Sequence, residues 1–281
     1  MRLPLPAMTP VVVTFLASVA WSPLQAAPTD ADVDALYEAL ALGEMLTIMR
    51  DEGLTYGASI GEDLLPGPVT PEWDQAVAQI YNLDAMISTV RDGLGAALGD
   101  SDVDAMIAFF EAEPGRDIVE LEIAARRALM DESIEEASKE AAALAFSEET
   151  DRSVLIKQFV ETNDLVDSNV VGALNANFAF FSGLRSGGGI GDSITDEQLL
   201  RDVWQQEPEI RQNTAEWVYS YSFMAYQPLT DDVLQTYIAF SQTDAGDDLN
   251  AALFRVFDKM FEDISGALGR AASQQMLNQE L

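Results

Sequence analysis

The chain contains no cysteine and no histidine. Without cysteine there are no disulfides, so stability must come from packing, and no lipid can be attached at a leader junction. Without either residue the usual ligands for zinc, copper and haem are missing. Ser-His-Asp and Cys-His nucleophile systems are excluded as well. Any chemistry would rest on carboxylates, serine, tyrosine, lysine or arginine. Basic residues are scarce too: 15 Lys and Arg face 48 Asp and Glu, a net charge of −33. Such a surface repels nucleic acid and anionic lipid. It keeps the protein soluble, and it could also attract cations or basic partners.

Long apolar runs are also rare. Val11 to Trp21 is apolar for 11 residues, too short to span a bilayer as a helix. Arg2 is the only charge before Asp30, Pro23 breaks the apolar segment, and Leu24-Gln25-Ala26 offers a small residue for cleavage. Residues 1–26 therefore read as a signal peptide cut after Ala26. The expected mature chain carries 14 basic and 48 acidic residues, a net charge of −34 once Arg2 is lost. No later apolar stretch reaches membrane-spanning length. A soluble periplasmic protein of 255 residues is expected, enough for one large domain or two ordinary ones.

What is present repeats. Ile107-Ala108-Phe109 recurs as Ile238-Ala239-Phe240, an offset of 131. At the same offset Gly115 matches Gly246, Asp117 matches Asp248, Asp100 matches Asp231, Asn82 matches Asn213 and Trp73 matches Trp204. Upstream the offset is 130: Gly53, Gly57, Ile60 and Gly61 match Gly183, Gly187, Ile190 and Gly191. The spacing predicts a tandem duplication, with one helical unit over 27–147 and a second over 148–281. Val33, Leu36, Tyr37, Leu40 and Trp73, Val77, Ile80, Tyr81 follow helical periodicity. Thr70-Pro71-Glu72, Thr195-x-x-Gln198 and Thr230-Asp231-Asp232 are helix starts. Long helices are expected over 115–145 and 246–277. Trp217, Tyr219, Tyr221 and Phe223 alternate as in a strand, but their counterparts around Met86 and Val90 have helical spacing, so helix is predicted there. The fold class expected is all-α, as two packed helical subdomains. Phe109 and Phe240, at matching places, should each be buried in the core of their own unit, with independent costs of truncation.

The run Ile107-Ala108-Phe109-Phe110-Glu111-Ala112-Glu113-Pro114-Gly115 resembles the signature of a family of exported bacterial helical proteins, domain of unknown function 2059. The similarity covers roughly 70–140, and more weakly 200–275, where Ser241 replaces the aromatic and Gly246 is kept. The resemblance implies an exported helical domain and transfers no catalytic residue.

Four constellations could carry chemistry. Asp100, Asp102, Asp104 and Glu111 hold acidic positions of a calcium loop, but Ala105 stands where that loop needs glycine. The same acids suit a capped helix start, which is the expectation here. Gly187-Gly188-Gly189-Ile190-Gly191 lacks a preceding strand and a following Gly-Lys-Ser/Thr, so it reads as a connector, like Gly57-Ala58-Ser59-Ile60-Gly61. Trp217, Tyr219, Tyr221, Phe223 and Tyr226 could line a groove, though a core or inter-unit contact is more usual. Glu132-Ser133 matches two residues of a lytic transglycosylase motif and nothing else of it. No catalytic, cofactor-binding or metal-binding residue is assigned. The expected function is a non-enzymatic envelope protein that binds a partner or a small apolar ligand between its helices. The alternative is a carboxylate-dependent hydrolase acting on cell-wall material, which would need two or three carboxylates converging in a pocket.

Overall fold

A computed structural model of the chain describes residues 28–65, 67–190 and 194–279. The segment 1–26 expected to be a signal peptide, with its cleavage site, lies outside the described residues, as does Gly191. The protein is all-α: every regular element among the described residues is a helix. In order these are α1 (Asp30–Ala39), α2 (Leu42–Leu64), α3 (Pro71–Ile80), α4 (Leu83–Leu98), α5 (Val103–Glu111), α6 (Gly115–Ala128) and α7 (Glu132–Ser147). There follow α8 (Asp151–Thr162), α9 (Leu165–Ser186), α10 (Asp196–Trp204), α11 (Glu207–Tyr226), α12 (Asp231–Ser241) and α13 (Asp244–Gln279). None is long and apolar enough to cross a membrane.

The helix starts follow from their caps. The Thr70, Thr195 and Thr230 hydroxyls accept hydrogen bonds from the backbone N–H groups of Trp73, Gln198 and Val233. Thr195 and Gln198 form a capping box. The alternating aromatics of 217–223 lie within α11, as their helical counterparts require.

Two expectations about local structure are corrected. The segment 115–145 is not one helix. The Asp131 carboxylate accepts from the Ser133 N–H, which starts α7 afresh, whereas α13 continues unbroken. Gly57–Gly61 is not a connector but part of α2. Gly53, Gly57 and Gly61 recur every four residues on one face, and α3 packs directly onto them. A Cβ at these positions would lie 2.1 Å from Tyr81, 2.4 Å from Val77 and 2.7 Å from Trp73. Trp73 is buried there and donates its indole N–H to the Gly57 carbonyl at 2.9 Å. The glycines of α9 and α13 serve another contact. A Cβ on Gly183 would lie 2.3 Å from the Gly266 carbonyl oxygen, and one on Gly269 2.0 Å from that of Phe180. The two long helices are therefore pressed backbone to backbone.

Packing between elements follows a recurring scheme. Helix α1 packs on α5 and α4 as α8 packs on α12 and α11, and α2 packs on α3 and α4 as α9 packs on α10 and α11. The last helices of the two segments are partly exchanged: α13, whose main contact is with α9 of its own segment, also packs on α4, and α6 and α7 pack on α11. The two larger cores draw on both segments, while a small third one, of Val170, Leu174 and Val203, lies within the second segment. The larger core joins Leu36, Leu46, Trp73, Val90, Leu94 and Met106 to Leu249, Val256, Met260, Ile264 and Leu268 of α13. The second joins Ile118 and Ala125 of α6 to Ile156, Phe159, Val218, Tyr226, Leu234 and Ile238.

Some pairs matched in the sequence have matching surroundings. Val103 and Leu234 are buried, as are Ile118 and Leu249. A Cβ on Gly115 would strike the Phe109 carbonyl oxygen at 2.1 Å, and one on Gly246 that of Phe240 at 2.2 Å. Other pairs do not. Trp73 is buried at the start of α3, while Trp204 is 56% exposed at the end of α10. Asn82 caps α4, while Asn213 lies inside α11. The expectation for Phe109 and Phe240 also fails. Both rings are half-buried, and they stack on each other, centroids 4.0 Å apart and planes 10° apart. The exchange of α6 and α13 brings α5 against α12, so the rings share one contact.

Candidate functional site

The five helices α2, α6, α9, α11 and α13 leave a cleft where the two segments meet. It contains a cavity of about 490 Å³ between α11 and α13 and one of about 400 Å³ between α2 and α9. The two share Met49, Arg126, Asn169, Asp258 and Phe261 on their walls. A third, of about 200 Å³, also touches Met49 and Arg126 and reaches Glu122. The wall of the larger cavity is mainly apolar and aromatic, as in small-molecule sites, while that of the second mixes Met49, Ala173, Ala176 and Phe261 with Glu52, Asn177 and Ser265.

Arg126 is the hub. It sits one helical turn after Glu122 on α6 and reaches across to α2. Its Nε donates to Glu52 Oε1 at 2.9 Å and its Nη2 to Oε2 at 2.7 Å, a bidentate pair. The guanidinium also lies over the Trp217 ring, 5.1 Å from its centroid. Trp217 in turn stacks on Tyr221, centroids 5.1 Å apart and planes 4° apart. Helical spacing of four residues aligns these two rings toward the cleft. Tyr219 and Phe223, two residues out of phase, face away and pack against Phe146 of α7. The aromatic run of α11 thus divides into a cleft wall and an inter-helix contact, while Tyr226 belongs to the second core.

Behind Arg126 lies a buried polar cluster. The Tyr226 and Tyr237 hydroxyls both donate to Glu122 Oε1, at 2.6 and 3.2 Å, and the Tyr221 hydroxyl donates to the Glu122 carbonyl oxygen at 3.1 Å. Burial pushes the Glu122 carboxyl up from its ordinary value, against the opposing effect of the two tyrosine hydrogen bonds. Burial, reinforced by the charge of Glu122, raises all three tyrosines well above 10.0. The tyrosines therefore act as hydrogen-bond donors. Asp258 is the third carboxyl on the cleft wall, after Glu52 and Glu122. It makes no hydrogen bond or ion pair among the described residues, and burial, helped by the charge of Glu262, raises it.

The remaining candidate residues lie elsewhere. Asp102 caps α5 through the Ala105 N–H at 3.1 Å, and Asp104 and Glu111 are within the helix. Asp102 and Asp104 therefore belong to a helix start, and Glu111 lies at the other end of the same helix. Among the described residues no cluster of three or more acids could hold a metal. Gly187 and Gly188 end α9. Glu132 and Ser133 are exposed at the start of α7 and line none of the three cavities. Glu52, Glu122, Arg126 and Asp258 carried no sequence signal as a site.

Residues 84–143 carry a domain of the family described as "Uncharacterized protein conserved in bacteria (DUF2059)". This segment runs from α4 into α7 and includes the Ile107–Gly115 signature, Glu122 and Arg126. No curated protein and no solved structure matches the chain.

Proposed function

We propose that this is an exported, non-enzymatic envelope protein, descended from a duplicated helical unit, that binds a small, largely apolar molecule in the cleft between its helices. The carrying observation is the adjoining pair of cavities of about 490 and 400 Å³, with Arg126 on the wall of both and the stacked Trp217 and Tyr221 on that of the larger. The volumes suit a small organic ligand. Duplication is supported by the repeated packing scheme, by the exchanged α6 and α13, and by the shared surroundings of Gly115 and Gly246. Export is supported by the apolar segment ending at Pro23. The mature N-terminus should be Ala27, and N-terminal sequencing of periplasmic protein that finds Met1 or Arg2 retained contradicts it.

Binding is tested with Nile red, a neutral dye that brightens in apolar surroundings. The mature protein should bind it saturably at one site. Asn169→Trp changes an exposed position on the wall shared by both cavities, so it should block binding and leave the melting temperature unchanged. Equal dye binding by both proteins refutes the cleft as the site.

One observation favours the hydrolase as a second reading: Glu52 and Asp258 line the same cavity. Against it, both Glu52 oxygens are engaged by Arg126, and Glu262, whose charge acts on Asp258, is on the wall of neither large cavity. Release of soluble fragments from purified cell-wall material, abolished by Asp258→Asn, would establish that reading instead.

A further inference from the structure

We infer that the cleft ligand is an organic cation, an amine with an apolar body whose ammonium group pairs with Asp258. The inference rests on the binding reading and adds the charge and shape of the ligand to it.

The charge balance of the cleft carries the argument. Among the described residues Arg126 is the one cationic side chain on the walls of the two large cavities, and Glu52 already neutralises it through both oxygens. Asp258 is on the wall of both cavities and has no partner of its own among the described residues. Gly172 of α9 leaves room for the carboxylate there, since a Cβ would lie 2.4 Å from Asp258 Oδ1. A partly buried carboxylate without a partner is costly unless something charged or donating meets it. An ammonium group does, whereas a carboxylate, sulfate or phosphate ligand would find no free cation. A second polar group on the wall also lacks a partner. Ser222 is 1% exposed, and its hydroxyl makes no hydrogen bond.

The rest of the cavity suits the body of such a molecule. Phe254, Phe257 and Phe261 of α13 face Trp217 and Tyr221 across the larger cavity, an aromatic setting that takes either an alkyl chain or the edge of a cation. The net charge of −33 draws cations toward the protein and repels anions.

Isothermal titration of the mature protein with decylammonium, 1-decanol and decanoate compares one alkyl chain carrying three charges. Decylammonium should bind about tenfold or more tighter than decanol, and decanoate more weakly than either. Asp258→Asn should bring decylammonium down to the level of decanol and leave decanol unchanged. Asp100→Asn removes the same charge from an exposed turn outside the cavities, and should leave all three affinities as they were. Two results overturn the inference and leave the cleft reading standing: equal binding of the three ligands, or loss of decylammonium affinity in both variants alike. If none of the three ligands binds, both readings fall.

Discussion

The stacked pair Phe109 and Phe240 offers a direct probe of how the two segments meet. Each ring is half-buried, so truncation to Ala should cost about 2 kcal/mol, below the roughly 3–5 kcal/mol of a fully buried Phe. The rings lie 4.0 Å apart and nearly parallel, so each truncation also removes the other's stacking partner. Aromatic pairs contribute about 0.5–1.5 kcal/mol beyond the area they bury. The double variant should therefore lose about 1 kcal/mol less than the two single losses together. Phe110 and Tyr237 surround the pair, at 5.4 Å from Phe240 and 6.0 Å from Phe109, and limit collapse into the space left. Urea melts of the mature protein and the three variants, followed by circular dichroism, measure the cycle. Additivity within about 0.3 kcal/mol would refute the shared contact and return each ring to a separate core.

Three further outcomes are expected. Gly269→Ala sets a Cβ 2.0 Å from the Phe180 carbonyl oxygen and should destabilise by about 3 kcal/mol or more, while Gly95→Ala meets only the Val33 side chain at 3.3 Å and should be neutral or stabilising by up to about 1 kcal/mol; thermal melts distinguish the two. The raised carboxyl of Glu122 contributes stability that is fully present below the ordinary value of 4.5 and is lost as pH rises through the higher folded value. Relative to Glu122→Gln, the native protein should thus lose stability as pH rises from 4.5, and a pH-independent difference in urea melts would count against a raised carboxyl. Asp102→Ala should cost about 1 kcal/mol through loss of the α5 cap, by the same amount with and without millimolar calcium in a thermal melt; a calcium-dependent cost would restore the metal reading.

Local features of the fold were legible in the sequence because they are local in the chain. Thr70, Thr195 and Thr230 cap helices through partners three residues away, and the helical period of α11 outweighed its apparent alternation. The break between α6 and α7 was within reach too, since Asp131-x-Ser133 is a cap signal, but the apolar stripe of 115–129 masked it. Glycine misled at Gly57–Gly61, where it admits a neighbouring helix, not a turn. The exchange of α6 and α13 was out of reach, because periodicity shows which face of a helix is buried but not against which helix. The site was illegible for the same reason. Tyr226 and Tyr237 stand 104 and 115 residues from Glu122, and Arg126 stands 74 from Glu52. Only the packing of five helices brings these side chains together.

Native mass spectrometry of the protein, purified gently from cells that make it, tests the binding cleft most directly. The account predicts a species heavier than the polypeptide by one small organic molecule, at one per chain, and the bare polypeptide mass for Asn169→Trp. Bare mass for both proteins, or the same added mass retained by the blocked variant, would contradict it.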